Sequence, residues 1–112
     1  MIRAPRQELR AVMPYEIVVH ELAEEELASL RAFDQRRVLN DIRDQLSYQP
    51  NIATRRRKAL FDLTPSFEHE LPVWELRVGD FRVFYDVDES ERRVHVRAVR
   101  RKNPSQTTED IL

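Results

Sequence analysis

The stretch WELRVGDFRVFYDV, residues 74–87, decides how the chain folds. It holds Gly79, the only glycine among 112 residues, followed by Asp80, and such a pair makes tight hairpin turns because glycine takes positive φ without steric cost. A two-residue turn there sets Val78 opposite Phe81, and the two-residue period of a strand fixes the rest. One face then receives Trp74, Leu76, Val78, Phe81, Val83, Tyr85 and Val87; the other receives Val73, Glu75, Arg77, Arg82, Phe84 and Asp86. A one-residue slip would bury the arginines and expose the apolar set, so the register is strongly specified. It also brings Arg77 opposite Arg82, a like-charge pair that normally destabilises a sheet.

Outward from the hairpin, the polar segment Asp88–Arg92 leads to a third antiparallel strand from Arg93 to Val99 or slightly beyond. With Val87 facing Val94, this strand adds Val94, Val96 and Ala98 to the apolar face and His95, Arg97, Val99 and Arg101 to the open one. Upstream, YEIVVH (15–20) is rich in β-branched residues and reads as a strand. Leu22, Leu27 and Leu30 then recur at helical spacing, and a second helix starts at Asp34 as N-cap and carries Val38, Leu39, Ile42 and Leu46 on one side until Pro50 approaches. Residues 51–72, with ALFDL as an apolar patch and Pro65 and Pro72 as breakers, read as a loop with one short ordered piece. The expected fold is α+β: an N-terminal strand, a two-helix hairpin, then a three-stranded antiparallel meander, forming one sheet with the helices on one face. Residues 15–102 form the single domain, 1–14 a loosely held arm and 103–112 a tail.

Composition narrows the function classes. The chain is 41% hydrophobic and 35% charged, with a net charge of −1, values of a small, heavily solvated globular domain. Without cysteine it has no disulfide framework, thiolate metal site or cysteine nucleophile. His20, His69 and His95 lack metal-ligand spacing to one another, so no metal and no cofactor are expected. One glycine cannot build a phosphate-cradling loop, and no serine has a placed base. No apolar run nears the roughly 20 residues of a membrane span, and the arginine-bearing segment 1–14 lacks the apolar centre of a secretory signal, so a soluble cytoplasmic protein is expected.

Positive charge concentrates in the second half, in RRRK (Arg55, Arg56, Arg57, Lys58) and in RRK (Arg100, Arg101, Lys102). The open sheet face collects Arg77, Arg82, Arg97 and Arg101 around Phe84, with Glu75, Asp86 and His95 among them. Two readings of this face stand side by side. The arginines are solvated and paired locally with Glu75 and Asp86, or they bind phosphate bidentately while Phe84 stacks a base. The RRRK cluster is either a second backbone-contacting patch or a solvated basic turn. Were the face to act on RNA, the economical reaction is attack of a 2′-hydroxyl on its own phosphate. The arginines would stabilise the developing charge, and Glu75, Asp86 and His95 are the titratable groups at hand.

The order strand, helical hairpin, basic loop, then WELRVGDFRVFYDVDESERRVHVRAVRRK resembles the RelE/ParE superfamily, the toxins of bacterial type II toxin–antitoxin pairs. The resemblance spans about residues 15–102, and its most specific part is ELRVGDFRVFY. It implies a ribosome-dependent mRNA endonuclease, with Arg82 as the best-matched phosphate stabiliser, Arg77 next, and Arg101 or Lys102 for the basic end of the last strand. Glu75 would act as base, as acidic residues do in some relatives. It further implies a cognate antitoxin that covers this face and mRNA on the ribosome as substrate. The ParE branch, on the same fold, implies instead inhibition of DNA gyrase, and a third possibility is a member that binds antitoxin without activity. The chain departs from RelE in having Val73 and Glu75 where RelE has two lysines, and its tail NPSQTTEDIL has neither tyrosine nor histidine.

Overall fold

Every strand pairing follows from where the apolar residues fall. The computed structural model describes residues 13–112; residues 1–12, most of the expected arm, lie outside the described residues. In chain order the elements are β1 (Glu16–Val19), α1 (Glu21–Ala28), α2 (Ala32–Leu46), β2 (Arg57–Leu60), β3 (Val73–Val78), β4 (Phe81–Asp88) and β5 (Arg93–Arg101), followed by a short 3₁₀ turn at Glu109–Ile111. The sheet order is β1-β5-β4-β3-β2. β1 runs parallel to β5, and all other neighbours are antiparallel.

The α+β class is as the sequence implies, with one strand more. The short ordered piece expected within 51–72 is β2, which pairs with β3 at the sheet edge (Lys58 opposite Glu75, Ala59 opposite Trp74). The β3–β4 hairpin has the expected register, with Trp74 opposite Tyr85, Arg77 opposite Arg82 and Val78 opposite Phe81. Gly79 holds φ at +56°, and the Arg37 guanidinium of α2 lies so close that a Cβ there would stand 2.5 Å from Nη2. Gly79 is thus required both by backbone conformation and by the close approach of a side chain.

The helices cover one sheet face. Ala23, Leu27, Val38, Ile42 and Leu46 pack there against Trp74, Leu76, Val78, Phe81, Val83, Tyr85, Val94, Val96 and Val99. Burying one such large side chain stabilises by about 1.5–3 kcal/mol. The buried Tyr85 hydroxyl donates to Pro50 O at 2.5 Å, tying the segment after α2 to the core; burial pushes this phenol well above its ordinary value. Asp34 is not the N-cap of α2. The helix begins at Ala32 with Arg31 as N-cap, and Asp34 lies in its first turn, where its carboxylate faces Arg31 Nε at 3.2 Å.

One irregularity changes the side-chain assignment. Phe84 faces Ala98 and Tyr85 faces Val96, so Arg97 is an extra residue on β5, a bulge. Beyond it the parity of β5 reverses: Ala98 and Arg100 point to the face away from the helices, whereas Val99 and Arg101 point toward them. Val99 accordingly belongs to the helix-side core and Ala98 does not.

Candidate functional site

The sheet face away from the helices is neither open nor a single charged surface. At its centre lies a second apolar cluster of Leu60, Phe67, Val73, Phe84, Ala98 and Ile111. Phe67 comes from the β2–β3 loop, its ring 5.9 Å from that of Phe84, and Ile111 from the segment after β5. Phe84 is completely buried, so it is no platform for a stacked base. This plug divides the polar groups of the face into two clusters.

The cluster toward the Gly79 turn is centred on Glu75, which is only 5% exposed. Its Oε1 lies 3.7 Å from Lys58 Nζ and 3.8 Å from Arg82 Nε, and its Oε2 accepts a hydrogen bond from Thr108 Oγ1 at 2.7 Å. Arg82 turns back on its own hairpin, where Nη1 donates to Gly79 O at 2.7 Å and to Phe81 O at 2.8 Å. Burial, and after it the neighbouring Arg77, push the Arg82 guanidinium below its ordinary value, while Glu75 opposes them. The facing arginines therefore coexist because Arg82 is held by turn carbonyls and a carboxylate. The Arg77 side chain stays exposed, with no hydrogen bond or ion pair among the described residues.

The bulge alters the membership of this cluster. Arg100, not Arg101, faces Arg82. Its Nε lies 2.6 Å from Glu26 Oε2 of α1, and its guanidinium is 5.7 Å from the Phe67 ring centroid. Glu26 also accepts from Val99 N at 3.0 Å; burial is the main influence on its carboxyl, raising its pKa against the pull of both partners. Arg101, expected on this face, stands on the helix side, 4.6 Å over Phe81 and 3.9 Å from Asp34. Arg100 was missed because the strand was read with unbroken alternation, although the adjacent apolar pair Ala98-Val99 already breaks that period. Lys102 extends the ladder, donating its backbone N–H to Asp80 O at 2.7 Å.

At the opposite end of the face, Arg97 makes a bidentate pair with Asp86, Nε to Oδ2 at 2.8 Å and Nη2 to Oδ1 at 3.2 Å, both side chains nearly fully buried. Asp86 Oδ2 also accepts the Glu70 N–H at 3.2 Å. Arg97 is thus fixed by a structural partner and does not join Arg77 and Arg82. His95, opposite Asp86, has Nδ1 at 2.9 Å from Nε2 of His20, which sits just before α1. Burial, then the charges of Arg97 and His95, lower the His20 pKa. A cavity of about 340 Å³ opens here, lined by His20, Leu22, Phe67, Glu68 and Arg97 among others.

The RRRK cluster also disperses. Arg57 points to the helix side and is buried, donating to Ile52 O at 3.1 Å and to Gln45 O. Arg56 binds Arg77 O at 3.1 Å and pairs with Asp41 of α2. Lys58 reaches Glu75, and Arg55 is exposed. Among the described residues no group of three His, Cys, Asp or Glu could hold a metal ion, and no helix is long and apolar enough to cross a membrane.

Residues 17–103, which span the whole sheet except Glu16 of β1, match the family model of the ParE toxin of the type II toxin–antitoxin system parDE. The chain belongs to this family of toxins. The fold agrees. The toxin resembles a chain of the toxin–antitoxin complex RelBE2 from Mycobacterium tuberculosis, with TM-score 0.59 and 22% identity over 80% of this chain and 99% of that one. It also resembles a chain of the archaeal RelE–RelB complex from Pyrococcus horikoshii OT3, with TM-score 0.61 and 23% identity over 83% and 100%. No curated protein sequence is similar enough to count as a match. It is a type II toxin of the RelE/ParE superfamily.

Proposed function

We propose that the toxin is an mRNA endoribonuclease acting on the ribosome in the cytoplasm, with the Glu75 cluster as its reaction centre. The observation that carries this reading is the near-buried Glu75 carboxylate flanked by Lys58 and Arg82, with exposed Arg77 across from Arg82. Cleavage by transfer to the 2′-oxygen needs this combination. Glu75 takes the 2′-hydroxyl proton as O2′ bonds to phosphorus and the bond to O5′ breaks, leaving a 2′,3′-cyclic phosphate. Arg77 and Arg82 neutralise the charge that builds on the phosphorane oxygens, and Lys58, 3.7 Å from Glu75, supplies the proton to the departing 5′-oxygen. Arg100 replaces Arg101 as the third arginine of the face. The partner that restrains the toxin is a cognate antitoxin, as in both solved relatives, whose chains come from toxin–antitoxin complexes.

Arg77→Ala and Glu75→Gln test the site. Arg77 is exposed and, among the described residues, spends no side-chain bond on the fold, whereas Arg82 closes the hairpin turn, so Arg82→Ala would confuse stability with activity. Induced without antitoxin, the wild-type chain should halt incorporation of labelled amino acids before that of thymidine, and both variants should relieve the arrest, Arg77→Ala with its unfolding transition intact and Glu75→Gln while still folded, though less stable because buried Arg82 loses its countercharge. Undiminished arrest in Glu75→Gln overturns the assignment.

A second reading, inhibition of DNA gyrase as in the ParE branch, is favoured by the apolar plug. Phe67 and Ile111 close the face over Phe84, and a protein-binding toxin needs no groove for RNA. Thymidine incorporation falling before that of amino acids would select it.

A further inference from the structure

We propose that residues 103–112 form an autoinhibitory strap over the Glu75 site, held shut by Ile111 and Thr108; as a statement about activity, this rests on the endoribonuclease reading. The family match ends at residue 103, so residues 104–112 lie outside it. The segment is nevertheless ordered by its own bonds. Asn103 N–H donates to Gln106 Oε1 at 2.8 Å, Thr107 N–H donates to Asp110 Oδ2 at 2.8 Å, and Asp110 N–H returns to Thr107 Oγ1 at 3.3 Å, a reciprocal cap on the turn at Glu109–Ile111.

Its attachment to the sheet is sparse and well placed. Within 103–112 only Ile111 is buried, at 7% exposure, in the socket of Leu60, Phe67, Val73, Phe84 and Ala98; Leu112 packs partly against the same cluster. The side-chain hydrogen bond from this segment to the sheet is that of Thr108, and it falls on Oε2 of Glu75, the oxygen not facing Lys58 and Arg82. The segment thus takes up one acceptor position on the group proposed as base, and it plugs the apolar floor beside it. It also adds two carboxylates, Glu109 and Asp110, and no cation, a composition suited to a face that presents Lys58 and Arg77. A contact made of one buried apolar anchor, the partly packed Leu112 and one hydroxyl can open without unfolding the helix-side core, which shares no buried residue with the socket.

Because the chain has no cysteine, one placed under the strap reports its opening. Ala98→Cys puts a thiol at a position that is fully covered while the strap is closed. In that full-length background Ile111→Asp, or the milder Ile111→Ala with Thr108→Val, should raise the rate of thiol labelling about tenfold or more, since the closed state loses its apolar anchor. The cooperative unfolding transition read from Trp74 should persist, its midpoint falling by no more than the loss of the Ile111 anchor accounts for. Affinity for a labelled single-stranded RNA should rise with the labelling rate, and a peptide of residues 103–112 added in trans should reverse both changes. Labelling that stays slow, or that rises only together with global unfolding, overturns the strap. Faster labelling with unchanged RNA affinity overturns it as an inhibitor. These readouts do not depend on cleavage: a strap that opens and admits RNA while Glu75→Gln leaves arrest untouched refutes the catalytic assignment and supports the strap.

Discussion

Replacing Arg97 by methionine removes one half of a buried ion pair and leaves the other in place. The Asp86 side chain is 3% exposed and that of Arg97 8%, and they share two hydrogen bonds of 2.8 and 3.2 Å. Without Arg97, Asp86 keeps the Glu70 N–H as its hydrogen-bond donor, at 3.2 Å, and a carboxylate so enclosed is left without a countercharge. Breaking a pair of this kind costs about 3–5 kcal/mol. That is a large part of the total for a domain of this size, typically about 5–15 kcal/mol. With a urea slope of about 2 kcal/mol/M, the midpoint should fall by roughly 2 M. Adding Asp86→Asn to Arg97→Met should restore part of the loss, because the neutral amide still accepts from Glu70 and no charge remains stranded; the cycle should give a coupling of about 2–3 kcal/mol. Urea unfolding of the four proteins, followed by Trp74 fluorescence, measures it. A loss below about 1 kcal/mol in Arg97→Met, additive with Asp86→Asn, would refute the structural role and return Arg97 to the candidates for binding RNA.

Gly79→Ala should cost about 1–2 kcal/mol for the left-handed backbone alone, plus the displacement of Arg37, and combining it with Arg37→Ala should recover only the second part. His20 gives the fold a pH dependence. Its pKa is lowered from an ordinary 6.5, so its contribution is complete above pH 6.5 and is lost as pH falls from there through the folded-state value; thermal midpoints should drop on acidification below pH 6.5, and His20→Gln should flatten the slope. Around it stand His95, Arg97, Asp86 and Glu68, and a slope unchanged in His20→Gln would assign the effect to one of these. The bulge predicts opposite outcomes for two adjacent arginines: Arg100→Ala should release Glu26 and weaken any RNA affinity of the Glu75 face, whereas Arg101→Ala should leave that affinity unchanged, as fluorescence anisotropy with a labelled RNA would show.

The hairpin was legible because its information is local. A single glycine, an apolar set with period two and a polar set with the opposite parity leave one register open, and that register is the one observed. Two features escaped. The bulge at Arg97 lies where apolar residues occupy consecutive positions, Ala98 and Val99, so alternation alone could not say which of them turns inward; the buried acceptor that draws Arg97 out of the ladder, Asp86, sits on another strand. The plug is assembled from Leu60, Phe67 and Ile111, isolated apolar residues in segments without periodicity, and what they cover becomes visible only when β2 closes the sheet edge and the chain returns across the face.

The bulge and the plug are connected, and together they recast the facing arginines. The bulge sets Ala98, with its small side chain, beneath Phe67 and Ile111, where an unbroken strand would have offered Arg97 or Val99. The face can therefore accept an apolar plug at its centre, which pushes the charged groups to its two ends. At the far end Arg97 is neutralised within the protein. At the turn end two sheet cations, Lys58 and Arg82, converge on one carboxylate, while Arg77 remains unpaired among the described residues. Arg77 is thus a guanidinium that the fold leaves free to meet an anion. On the proposed function, its solvated guanidinium beside Glu75, under a segment anchored by Ile111 and Thr108, would serve a phosphate site kept covered until needed.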